Sequence, residues 1–212
     1  MSNSDFSLGL SISANPVNHS IVVSSTTRSN RLKLPQFILS ATSNLSLYAP
    51  RFCRPTLAPA LKALGLIHTA CLLEFATDFE IAYNDDCWDN VSLHFTEGAI
   101  YEIKNTSFAC RLEGRDAIIA GFKKSLNGFD RHLTRRMWVV EGPYETSAKL
   151  SFVWHGVYSA TGIPPLELSA RQTLNFNGKK ITHLTDDYLP GYGESARRWI
   201  EDHRPDLNPA YA

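Results

Sequence analysis

The first seventy residues hold a single acidic side chain, Asp5, against Arg28, Arg31, Lys33, Arg51, Arg54 and Lys62. They also lack sustained hydrophobic periodicity, and Ser, Asn, Thr and several Pro fill residues 1–58. Such a segment cannot bury enough apolar surface to offset its chain entropy. Residues 1–58 are therefore expected to be a disordered extension and residues 59–212 the folded domain. The Ser-rich, Arg-containing, acid-poor extension fits an organelle transit peptide and, equally, a start codon set too far upstream. Cysteine is also sparse. Cys53, Cys71, Cys87 and Cys110 show no CxxC spacing and no partner at a metal-clip interval, which argues against a structural zinc site. Scattered thiols with no secretory signal point to a reduced, cytoplasmic protein, or to an organelle if the extension is a transit peptide. Long apolar runs are missing too: Pro59, Lys62 and His68 interrupt the most apolar stretch, residues 57–73, so no membrane span is expected.

What remains is ordinary globular material, 43% hydrophobic and 20% charged, enough for one domain with a real core. Residues 71–212 keep 15 of the 21 basic and 20 of the 21 acidic side chains, a net of −5. That sign repels a phosphate backbone, so nucleic acid is not an expected partner. No Gly-rich phosphate loop or metal motif appears, so no cofactor is implied.

Leu72, Phe75, Phe79 and Tyr83 follow helical spacing with one apolar face, and Asn84, Asp85 and Asp86 stop that helix. A short second helix carries Trp88, Val91 and Phe95. Extended runs at 99–104 and 108–112 are expected to form a hairpin, and a third helix from Asp116 to bury Ile118, Ile119, Phe122 and Leu126. Strands follow over 132–140, 148–160, 166–176 and 180–188, the last two joined by Asn177-Gly178, which favours a type I′ turn. A helix over 195–203 closes the chain. The expected class is α+β: a cone-like barrel with three N-terminal helices packed on a strongly curved, mostly antiparallel sheet, plus a C-terminal helix.

Four stretches carry a resemblance: Asp-Asp-x-Trp-Asp at 85–89, FTEGAIYEI at 95–103, EGRDAIIAGF at 113–122 and NGKKITHLTDDY at 177–188. Over residues 66–188 the chain resembles the nuclear transport factor 2-like superfamily, in particular its SnoaL-like branch. That fold hosts dehydratases, isomerases, cyclases, hydrolases and non-catalytic binding modules. In the scytalone dehydratase family within it, two histidines on successive strands act with a helix-borne aspartate and tyrosines. His132 and His155 sit at similar places in the order of elements, and Asp78, Glu80 and Tyr83 are the candidates on the first helix. The Arg-x-Asp pair of the epoxide hydrolases is absent, since Gln172 and Thr173 follow Arg171. The cyclases of this branch place an aspartate just after a histidine in the last strand. Here Asp186 stands displaced from His183, and Asp187, which shares that histidine's parity, is the expected inward carboxylate.

Strand parity divides the 148–160 run into a bulky set, Leu150, Phe152, Trp154 and Tyr158, and a smaller set that includes Ser151, Val153 and His155. The bulky set is expected on an outer face buried in a homodimer, and the smaller set around a ligand. On the preceding strand His132, Arg136 and Trp138 share a face. The expected site therefore has His155, His132, Asp78 and Asp187 as acid/base groups, with Tyr83, Ser151, Val153, Arg136 and Trp138 binding substrate. An imidazole with a pKa near 6.5 and a carboxylate beside it suits elimination or proton transfer. The expected function is a cofactor-independent lyase or isomerase acting on a small cyclic or aromatic hydroxy-carbonyl compound in an apolar pocket. The alternative is a non-catalytic ligand-binding or dimerisation module, in which both histidines are structural.

Overall fold

In a computed structural model of the protein, the described residues are 9–15, 20–26, 38–40 and 57–212. Within the expected disordered extension, Gly9–Asn15 (β1), Ser20–Thr26 (β2) and Ile38–Ser40 (β3) form a small antiparallel sheet in that order. The rest of that extension up to residue 56 lies outside the described residues. The domain then runs Leu57–Ala63 (α1), Ile67–Asp85 (α2), Asp89–Leu93 (α3), Phe95–Lys104 (β4), Cys110–Glu113 (β5) and Arg115–Gly128 (α4). Thr134–Glu145 (β6), Lys149–Ser159 (β7), Leu166–Asn177 (β8), Lys180–Tyr188 (β9) and Tyr192–His203 (α5) complete it. Strands β4 to β9 make one curved, unclosed sheet, ordered β5-β4-β9-β8-β7-β6. Only β4 and β9 pair in parallel. Register shifts in β4/β9, β6/β7 and β8/β9 are bulges, and bulges bend and twist a strand, which curls the sheet around its helices.

Helix α2 buries Cys71, Phe75 and Ala82 against the sheet. Phe79 stands edge-on to Trp88 at 5.6 Å and to Phe122 of α4 at 5.4 Å, while Phe75 meets Phe95 at 5.6 Å. These edge-to-face pairs add to the burial of large apolar rings and hold α2, α3 and α4 over the concave side. The helix ends where Asp86 turns left-handed (φ 60°). No helix among the described residues is long and apolar enough to cross a membrane.

Three expectations about the strands are corrected. Leu150, Phe152, Trp154 and Tyr158 are all buried and face the core. Ser151, His155 and Val157 lie on the opposite, outer face and are only half-buried. Parity separates the two sets correctly, but the inward one is the bulky one, because large apolar side chains gain most by leaving water. The apolar stripe that argued for a homodimer is thus used inside the protomer. Second, His132 is not on a strand. Asp130–His132 is a single 3-10 turn closed by the Leu133 N–H on the Asp130 carbonyl at 3.2 Å, and β6 begins two residues after His132. The expected break at Gly142 and Pro143 is absorbed as bulges within β6.

Candidate functional site

In β9 the buried side chains Leu184, Asp186 and Tyr188 share one parity, so Asp186 points into the cone. Its carboxylate takes three donors, each from a different strand. The Tyr101 hydroxyl of β4 donates at 2.7 Å, the Trp154 indole N–H of β7 at 3.2 Å and the Gln172 amide of β8 at 2.8 Å. Burial pushes the Asp186 carboxyl above its usual range, and the three donors pull the other way.

The second interior carboxyl is Asp130, on the turn between α4 and β6. The Tyr158 hydroxyl donates to its Oδ1 at 3.3 Å, and Arg135 Nη1 stands at 4.0 Å. Burial raises this carboxyl as well, against the pull of Arg135 and of the Tyr158 hydrogen bond. Arg135 is itself held by Glu80 at 2.6 Å and lies 4.4 Å over the Tyr83 ring, whose hydroxyl donates to the Asp130 carbonyl at 3.2 Å. Asp130 lines a cavity of about 30 Å³ together with Ser125, Tyr158, Tyr188, Phe108 and Tyr211. That volume holds about two water molecules. Burial pushes the phenols of Tyr158 and Tyr188 well above their ordinary range, so they stay neutral. The two carboxyls are linked through rings, Tyr188 meeting Trp154 at 5.8 Å and Tyr211 meeting Tyr101 at 5.6 Å. Chemically the cavity presents one carboxyl able to exchange a proton, Asp130, and three phenols, Tyr158, Tyr188 and Tyr211, able to donate or accept hydrogen bonds.

The residues expected from the sequence are mostly elsewhere. His155 lies on the outer face against Trp138 (4.9 Å) and Tyr192 (6.2 Å), 3.7 Å from Glu167. Arg136 and Trp138 do share that face with it, and Arg136 is exposed. Ser151 is on the same side, 3.4 Å from the Thr173 hydroxyl, and Val153 has the same parity but is buried. His132 is exposed, its Nε2 2.8 Å from the Asn127 carbonyl. Asp78 meets neither of these histidines, since its Oδ2 lies 2.8 Å from His94 Nε2. Asp187 accepts the Asn105 amide at 2.5 Å on the outer side, so Asp186 and not Asp187 is the inward aspartate of β9. Of the expected set, Tyr83 reaches the cavity wall through the Asp130 carbonyl, and His132 through its backbone N–H on the Phe129 carbonyl at 3.1 Å. Asp130, Tyr101 and Tyr211 were not anticipated. Among the described residues no three of His, Cys, Asp and Glu stand close enough together to hold a metal ion.

No protein-family model matches this sequence, and no curated protein matches it significantly. Solved structures do. A Rhodopseudomonas palustris protein provisionally described as an isomerase superposes with a TM-score of 0.50 at 14% identity, over 60% of this chain and 96% of that one. A nuclear transport factor 2-like protein from Anabaena variabilis gives 0.47 at 11% identity, over 59% and 92%. Another from Burkholderia pseudomallei gives 0.43 at 12%, over 62% and 95%. At these identities the likeness speaks for architecture alone, and the sheet order with helices packed on its concave side makes this chain an α+β cone, the fold class expected from the sequence.

Proposed function

We propose that the protein is a cofactor-independent enzyme of lyase or isomerase type that moves a proton on a small cyclic or aromatic hydroxy-carbonyl compound held inside the cone. One observation carries the reading: the Asp130 carboxyl, 7% exposed, lies in the cavity wall with the Tyr158 phenol 3.3 Å from its Oδ1. Tyr158 is its one side-chain hydrogen-bond donor among the described residues, so Asp130 retains acceptor capacity for a substrate proton. Its raised pKa brings it closer to the working range of a general base. Asp186, whose oxygens are already taken by three donors, is the positioning group: it orients the Tyr101 hydroxyl toward the interior. The reading places the chemistry on this interior set, and His132 and His155 outside it.

The small cavity favours a second reading, a ligand-binding module without turnover. One experiment separates the two. The protein is incubated in D₂O, with no added cofactor, with a panel of small cyclic and aromatic hydroxy-ketones, and deuterium incorporation and dehydration are followed by NMR. Catalysed exchange or elimination is expected, lowered about 10²- to 10⁴-fold in Asp130→Asn with circular dichroism unchanged. Turnover that survives in Asp130→Asn overturns the assignment, and binding without turnover across the panel leaves the module reading.

A further inference from the structure

The chain beyond α5 is folded back into the cone. Leu207 is buried in the core, and the Asn208 N–H donates to the Gly128 carbonyl at the end of α4 at 2.9 Å. Asn208 Oδ1 accepts the Ala210 N–H at 2.9 Å, and Lys124 of α4 reaches the Ala212 carbonyl. Two glycines of α4 make room for this segment. A Cβ at Gly128 would collide with the Asn208 carbonyl oxygen, and one at Gly121 would stand 3.2 Å from that of Tyr211. The segment delivers Tyr211 ring-first. Its ring meets Tyr101 edge-on at 5.6 Å and Phe122 at 6.5 Å. Pro209 and Tyr211 form part of the cavity wall beside Asp130 and Tyr158.

We propose that Tyr211 holds the place of the ligand's own aromatic ring, and that residues 207–211 leave α4 to admit a phenol-like ring of the same size. The inference rests on the interior small-molecule site argued above and adds its ligand class. With the segment seated, the cavity takes only about two waters. With Tyr211 withdrawn, the vacated space offers the Tyr101 and Phe122 rings to an aromatic ligand, beside a cavity wall that holds the Asp130 carboxyl and the Ser125 and Tyr158 hydroxyls for its oxygen. The segment is tied to the rest of the backbone by few hydrogen bonds, of which Asn208 to Gly128 is one, and segments of that kind open well below the free energy of global unfolding. A seated Tyr211 competes with the ligand, so apparent affinity is reduced by the fraction of molecules in the closed form.

The test uses 4-methylphenol, the tyrosine side chain as a free molecule, with toluene as the probe that lacks the hydroxyl. In the full chain, millimolar 4-methylphenol is expected to speed hydrogen exchange at the Asn208 amide and leave the amides of β4 around Tyr101 unchanged, with toluene doing less. Gly128→Ala, which unseats the segment from a position that does not itself line the cavity, should bind 4-methylphenol at least about 10-fold more tightly than the native chain. If Gly128→Ala does not fold, Tyr211→Gly serves instead, and there 4-methylphenol must bind more tightly than toluene, since a featureless apolar hole would take toluene at least as well. Unchanged Asn208 exchange in the native chain, equal affinity in a freed Gly128→Ala, or no preference over toluene in Tyr211→Gly each overturns the proposal. Binding is read here without turnover: displacement with no turnover would sink the catalytic reading and spare this one, and turnover with Asn208 still protected would do the reverse.

Discussion

Asp186 and Asp130 make the native state respond to pH in the sense opposite to its surface carboxylates. Both are raised by burial from an ordinary value of 3.8. Above that value an unfolded aspartate has lost its proton while the folded one keeps it, so the stability they contribute falls as pH rises through the folded pKa and then levels off. Glu102 runs the other way. Lys104, then Arg111 and His183, hold it down to about 2, so its contribution is present above 4.5 and is lost as pH falls toward 2. That carboxylate and two of its partners sit near the surface, where solvent screening keeps such pairs weak. Asp186→Asn keeps an oxygen for Trp154 and Gln172 and removes the titration. Urea denaturation between about pH 4 and pH 7 should show the native protein losing more stability, or gaining less, than this variant. Parallel curves would mean that Asp186 does not titrate in that range. The inward aspartate was partly legible in the sequence, because Leu184 and Tyr188 flank Asp186 at the same parity and both are core residues. Asp130 was not, because a 3-10 turn rather than a periodic element places it.

At the scale of elements, helix α2 has no N-cap of its own, since Leu66 precedes it and makes no side-chain bond to its first turn. The cap comes from β6. Glu145 Oε1 accepts the His68 N–H at 2.8 Å, while Oε2 accepts the Thr69 N–H at 2.9 Å and the Thr69 hydroxyl at 2.6 Å. A carboxylate on exposed N–H groups at the positive end of a helix is stabilising, and removing it strands donors that are largely shielded from water. Glu145→Ala should cost about 2 kcal/mol, seen as a lower denaturation midpoint at unchanged slope, and Glu145→Gln less. No change in midpoint would show that water replaces the cap. Long-range caps of this sort leave no trace in local sequence, whereas the elements they join do. The apolar spacing from Leu72 to Tyr83 marks α2, and alternation with the Asn177-Gly178 turn marks β8 and β9. Sheet faces were harder. Alternation in β7 sorted Trp154 from His155 without stating which looks inward, and that is decided by helices packed from elsewhere in the chain.

For the whole molecule, the described hydrophobic core draws on α2 through β9, on α5 and on Leu207, with Ala58, Leu61 and Ala70 forming a smaller cluster where α1 meets α2. Among the described residues the six-stranded sheet takes no strand from upstream, its edges being β5 and β6, and β1 lies along the β6 edge. Cooperative unfolding depends on one contiguous buried cluster more than on strands laid at an edge, so a chain starting at residue 57 should retain it. Calorimetry of that fragment is expected to show a single transition within a few degrees of the full chain, with near-UV circular dichroism from Trp88, Trp154 and Trp199 preserved. A broad, non-cooperative melt, or loss of the near-UV signal, would show instead that residues 1–56 are part of what holds the cone closed.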